Sequence, residues 1–198
     1  MTQIPLSDLL QQVAACTICE PALALGARPV VVANAQARLL IIGQAPGTRV
    51  HETGIPWNDP SGDRLREWLQ IDREQFYSDP RIAIMPMGFC YPGKGRSGDL
   101  PPRPECAPQW HAQLLDRMPG IELVLLIGQY AQRYYLNDHH KQLTPRLKAF
   151  TESGDASGRF FPLPHPSPRN RIWLKQNPWF EVETLALLRD RVSKCLRA

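Results

Sequence analysis

Four short apolar runs, each followed by a segment of different periodicity, constrain this chain more than any other feature. Ala37 to Gly43 reads ARLLIIG and ends in a turn rich in Gly and Pro; from Ser61 the pattern becomes amphipathic, SGDRLREWLQ. Ile82 to Met85 repeats the apolar signal, ahead of a polar loop with Gly and Pro to Pro104 and a helix to about Met118. Ile121 to Ile127, IELVLLI, is the most continuous run, and Gly128 opens a helix carrying Ala131 and Tyr134. Phe160 to Leu163 then precede HPSPRNR, and Asn177-Pro178 is expected to cap the terminal helix, since proline suits a first helical position. An amphipathic helix is also expected in MTQIPLSDLLQQVAAC. Runs with no polar face suit strands covered on both sides, and strands that alternate with helices are joined by crossovers and run parallel. The expectation is an α/β fold: a single domain over residues 1–198, with a central, mostly parallel four-stranded sheet flanked by helices.

At 198 residues, 43% hydrophobic and 21% charged, the chain can bury one sizeable core. No apolar run approaches the ~20 residues that a membrane helix needs, so no membrane partner is expected. The first residues carry no early positive charge and do not read as a secretory leader; the expected location is the cytoplasm and the expected state a monomer. A net charge of +4 permits a polyanionic partner without requiring one. Five cysteines in a reducing compartment point to a metal or cluster site before a disulfide framework. Prolines gather between Pro101 and Pro104 and between Pro162 and Pro168, where they can stiffen loops that hold a ligand. Glu152 to Gly158, ESGDASG, reads as a mobile loop.

Ligands of such sheets sit beyond the carboxyl ends of the strands, here the loops after Gly43, Met85, Ile127 and Leu163. The first of these reads GQAPGTRVHETGIPWNDPSG from Gly43 to Gly62, and the last HPSP from His165 to Pro168. Singly, each is ordinary turn geometry plus a surface imidazole. Together, a G-Q/E-x-P-G turn after the first strand and an HPS turn after the last resemble the two motifs of the uracil-DNA glycosylase superfamily. The resemblance is nearest to its family 4, iron-sulfur branch and runs from Cys16 to about Arg171. Cys16-x-x-Cys19, Cys90 in GFCYPG and Cys106 in RPECAP look like that branch's four cysteines, and Gln129-Tyr130-Ala131 resembles its Leu-Gly-x-x-Ala segment.

The resemblance implies a base-excision glycosylase acting on DNA that contains a damaged base, uracil or a related deaminated one. A DNA-binding or damage-sensing relative with little hydrolysis is the alternative. It further implies a [4Fe-4S] cluster on Cys16, Cys19, Cys90 and Cys106; the same donors also suit zinc, or buried thiols with no metal. Cys195, among apolar neighbours, falls outside the set. His165 matches the histidine that faces the departing base, where a donor aimed at developing negative charge lowers the barrier. Trp57 looks like the stacking aromatic, although core packing would also account for it, and Ala45, Pro46 and Gly47 complete the turn beside the base. Ser61, Gly62 and Ser167 suit phosphate, while Arg169 and Arg171 fall where the family inserts a loop into the duplex, although a solvated charged turn would account for both equally well.

Two departures bear on activity. Gln44 stands where the branch usually has Glu, and a glutamine can orient water but cannot take its proton. Pro86 stands where the branch has an Asn that reads the base edge. Asp59, Glu52 and His51 are the nearby groups that could replace the missing carboxylate, and Asp59 could equally cap the Ser61 helix.

Overall fold

The four apolar runs pair as one parallel sheet. The structure, a computed structural model, describes residues 4–136, 140, 142–153 and 158–197. Its strands are β1 (Leu39–Ile42), β2 (Ile82–Ile84), β3 (Lys94–Gly95), β4 (Gly98–Asp99), β5 (Leu123–Ile127) and β6 (Phe160–Leu163). The four longer ones form the sheet in the order β2-β1-β5-β6, all parallel, with Leu40 beside Val124 and Val124 beside Phe160. Pro162 lies in β6, an edge strand, where a missing N–H is tolerated. The helices in chain order are α1 (Leu6–Ala14), α2 (Thr48–Thr53), α3 (Pro60–Leu69), α4 (Arg73–Ser78), α5 (Cys106–Leu115), α6 (Gln129–Tyr135), α7 (Leu143–Ser153), α8 (Arg171–Gln176) and α9 (Leu185–Arg197).

Alternation along each strand divides the core between two faces. Leu39, Ile41, Leu125 and Phe161 pack with Leu65 and Leu69 of α3 and Leu188 and Val192 of α9. Leu40, Ile42, Val124 and Leu126 pack on the other face, with Leu9 and Val13 of α1 and Trp110 and Leu114 of α5. Each fully buried side chain of this size contributes roughly 1.5–3 kcal/mol of transfer free energy, which is why the sheet is covered on both sides. At the carboxyl edge, Gln132 of α6 ties β5 to β6: its amide N–H donates to Leu126 O (3.1 Å) and Leu163 O (2.8 Å).

The structure adds elements that periodicity did not predict. Helices α2, α4 and α8 span six residues each and bury one residue or none, so no apolar repeat marks them. Helix α7 buries only Arg146 and Leu147 and includes Glu152 and Ser153 from the expected mobile loop, of which residues 154–157 lie outside the described residues. The β3–β4 hairpin interrupts the long polar loop after β2. Asn177 does not cap the last helix with its side chain. Its Nδ2 donates to Trp173 O (2.8 Å) and its Oδ1 accepts from Trp179 Nε1 (3.2 Å), and the chain enters α9 through a π-turn, Phe180–Thr184. Two indole-bearing neighbours thus engage the asparagine before the helix backbone can.

A buried histidine holds the loop after β2. His111 of α5, 1% exposed, donates from Nε2 to Pro86 O (3.1 Å), which can only accept; the neutral ring therefore accepts at Nδ1 from Tyr135 Oη (2.6 Å). The rings of Phe89 and Tyr135 lie nearly parallel to it, with centroids 5.7 Å and 6.0 Å away, and burial pushes its pKa down to about 4. The unfolded chain binds a proton near pH 6.5 that the folded chain refuses, so this contribution is complete above about 6.5 and is lost as pH falls toward 4. Over that window the wild type should lose on the order of 3 kcal/mol relative to His111→Gln, measured by denaturant unfolding of both at pH 7 and pH 4.5. Parallel pH curves for the two proteins would show that His111 is not the group responsible.

Candidate active site

Gly128 terminates β5 between the ends of β1 and β6, with φ +83°. A Cβ there would meet Gln44 Cγ at 3.8 Å and His165 Cβ at 3.9 Å, so the two motif residues converge over this glycine from the flanking strands. Main-chain bonds hold the Gln44 turn: Met87 N donates to Gly43 O and Gly88 N to Gln44 O, each at 2.9 Å. Trp57 packs its indole on Gly43, where a Cβ would lie 2.8 Å from the ring, and faces His165 with centroids 5.7 Å apart. Its backbone is left-handed, φ 56°, a conformation costing on the order of 1 kcal/mol or more for such a residue. Two contacts retain it. Arg66 donates to Trp57 O (3.2 Å), and Gly62 makes room for that carbonyl, which would stand 1.7 Å from any Cβ.

The predicted residues Gln44, Ala45, Pro46 and Gly47 line one cavity with Trp57, Asp59 and His165, and Pro86 closes another side. Its volume is about 50 Å³, room for water but below the ~300–1,000 Å³ of open ligand pockets. Burial lowers the pKa of His165, against a smaller opposing pull from Asp59 and Asp99. The ring is neutral near pH 7 and can donate one N–H to an oxygen that gains charge. Asn170 fixes its backbone by donating to His165 O (2.7 Å).

Of the two roles anticipated for Asp59, the cap is present. The residue lines the cavity, and its Oδ1 accepts from Gly62 N (2.8 Å) as the cap of α3. Glu52 and His51 do not line the cavity; their carbonyls hold Arg28. Asp99 was missed in the sequence. It lies on β4, with Oδ2 3.6 Å from where a Gly47 Cβ would be, and accepts from Tyr91 Oη (3.4 Å). A two-residue strand has no periodicity, so only the hairpin's placement reveals it.

The phosphate candidates separate. Gly62 is buried with its N–H engaged by Asp59, and Ser61 is partly buried at the same helix start. Ser167 Oγ accepts from Arg169 N (3.3 Å), and Arg169 Nη1 donates to Ser97 O (2.6 Å), tethering the arginine to the hairpin. Arg171 is exposed at the start of α8.

Cys16 and Cys19 follow α1, Cys90 follows β2, and Cys106 opens α5. Burial pushes Cys90 up to about 11 and Cys106 up to about 12, and each also responds to Cys16 and Cys19, so the four thiols lie within electrostatic reach of one another. Phe89 N donates to Cys106 Sγ (3.3 Å). Among the described residues, no three His, Cys, Asp or Glu side chains gather as the ligands of one ion would. Cys195 is buried in α9 and responds to Glu122 and Arg38, not to the other cysteines.

The model of the Uracil DNA glycosylase superfamily matches residues 30–189, starting after the Cys16-Cys19 pair and including both motif turns. No helix among the described residues is long and apolar enough to cross a membrane. With the match covering most of its length, the chain belongs to the uracil-DNA glycosylase superfamily.

Proposed function

We propose that the chain hydrolyses the N-glycosidic bond of uracil or a related deaminated base in DNA. The observation that carries this reading is the meeting of His165 and Gln44 over Gly128, beside the Trp57 indole. The extruded base lies against Trp57, and the bond from the sugar to the base nitrogen breaks with its electron pair leaving on the base. The neutral His165 donates to the base oxygen on which that charge collects. Water then adds to the sugar cation and releases a proton. Gln44, whose side-chain amide makes no hydrogen bond among the described residues, orients that water, and Asp59, which lines the same cavity, receives the proton. A second reading is a relative that binds damaged DNA with little hydrolysis; Gln44 in place of a carboxylate and the tight cavity favour it.

On a uracil-containing oligonucleotide, His165→Ala should lose on the order of a hundredfold in excision rate, as removal of one well-placed donor does. Gln44→Glu should hold or raise the rate, and Asp59→Asn should lower it more than Gln44→Ala. Full activity in His165→Ala on every deaminated base tested would overturn the mechanism. Measurable binding with no excision by the wild type would favour the second reading.

The cluster belongs to the same proposal. Cys16, Cys19, Cys90 and Cys106 would hold it, and bound to them it would join the N-terminal segment to two loops as a structural cross-link. Four thiolates suffice for a [4Fe-4S] cluster, and zinc is the alternative for the same donors. Protein prepared without oxygen should carry iron and sulfide with visible absorption, and Cys106→Ser should lose both and melt at lower temperature. Stoichiometric zinc without iron, or neither metal, would reject the cluster.

The face of Ser167, Arg169 and Arg171 is assigned to the DNA backbone. Arg171→Ala should weaken binding across sequences and reduce the salt slope by about one, as loss of a phosphate contact does. Arg169→Ala should do less, because its guanidinium already serves the hairpin. Unchanged slopes in the double variant would remove this surface from the interface.

A further inference from the structure

A groove larger than the Gln44 cavity has a volume of about 470 Å³, within the ~300–1,000 Å³ of sites that take small ligands. One wall is α6, where Tyr130, Arg133 and Tyr134 fall at i, i+3 and i+4 and so share a face. Pro101, Pro102 and Pro104 form the other wall, over a floor that includes the buried Met87. Gly88 sets that wall's distance: a Cβ there would stand 3.1 Å from Pro102 Cβ and 3.2 Å from Arg103 N.

The groove presents rings and a cation together. Tyr134 is 49% exposed, yet its ring is braced by edge contacts with Tyr135 (5.0 Å) and His111 (6.0 Å). Arg103 is held by Glu105 through two bonds, Nε to Oε2 (3.2 Å) and Nη2 to Oε1 (2.6 Å). Arg133 makes no hydrogen bond or ion pair among the described residues. Fixed aromatic rings with an available guanidinium are what an unpaired nucleotide requires, the base stacking and the phosphate taking the charge. The groove and the Gln44 cavity are lined by residues close together along the chain. Met87 follows Pro86, which lines that cavity, and donates to Gly43 O (2.9 Å), while Tyr130 stands two residues from Gly128.

We propose that this groove holds one unpaired nucleotide next to the extruded one, its base against Tyr134 and Tyr130 and its phosphate on Arg133, so that the protein prefers single-stranded to paired DNA. The proposal rests on the glycosylase reading above.

The test uses the full chain and an oligonucleotide carrying a fluorinated, cleavage-resistant deoxyuridine with fluorescent aminopurine beside it, as a single strand and annealed to its complement. Aminopurine emission should fall on binding of the single strand. Tyr134→Ala should lower the ratio of single-strand to duplex affinity roughly tenfold, and Tyr134→Phe should keep it. Arg133→Ala should reduce the single-strand salt slope by roughly 0.7. A ratio unchanged in a folded Tyr134→Ala, or equal loss in the Phe and Ala variants, overturns the groove assignment. If the wild type excises uracil while these variants change nothing, only the groove falls; if it neither binds nor excises, the glycosylase reading falls with it.

Discussion

Strand β1 is hydrogen-bonded on both sides, to β2 through Leu39–Ile41 and to β5 through Leu39–Ile42, and β5 carries β6 in the same parallel sense. Parallel register sends every carboxyl end to one edge, so Gly43, Met85, Ile127 and Leu163 release their loops into one region. That geometry brings Gln44 and His165 together although 120 residues of chain separate them. With β5 between their strands, a side chain at its end would intrude, and Gly128 supplies the gap. The site is thus a property of the ladder, and anything that shifts β1 against β5 would part the two residues.

What was legible in the sequence follows from how much each segment buries. The sheet strands are apolar throughout, and α1, α3, α5 and α9 carry apolar stripes, so these could be read directly. The turns at Gln44 and His165 could be read because their glycines and prolines mark backbone geometry that few other residues adopt. Helices α2 and α8 could not, since they bury one residue and none and are fixed by what they connect. Asp99 and His111 escaped for a different reason. Each matters through a partner distant in sequence, Gly47 and His165 for the first and Pro86 for the second, and a single chain does not announce such pairings.

The polar interior behind the cavity is as ordered as its apolar surroundings. Tyr135, His111 and Pro86 form one directional chain of hydrogen bonds, in which the carbonyl of Pro86 can only accept and so decides which ring nitrogen carries the proton. Pro86 lines the cavity without a side-chain hydrogen-bonding group, and its carbonyl accepts from His111. On this side the cavity wall therefore presents no side-chain donor or acceptor from residue 86.

The contact between Gly62 and the Trp57 carbonyl also restricts which substitutions can come first. At 1.7 Å no side chain of any size fits at position 62 while residue 57 keeps its left-handed backbone, and that backbone is what lays the indole against Gly43. A chain drifting by single changes must therefore relax residue 57 before position 62 can vary, and in doing so it would lose the indole from the cavity first. The two positions form an epistatic pair with a one-way order, so a descendant carrying a larger residue at 62 would be recognisable as one that had already given up this aromatic wall.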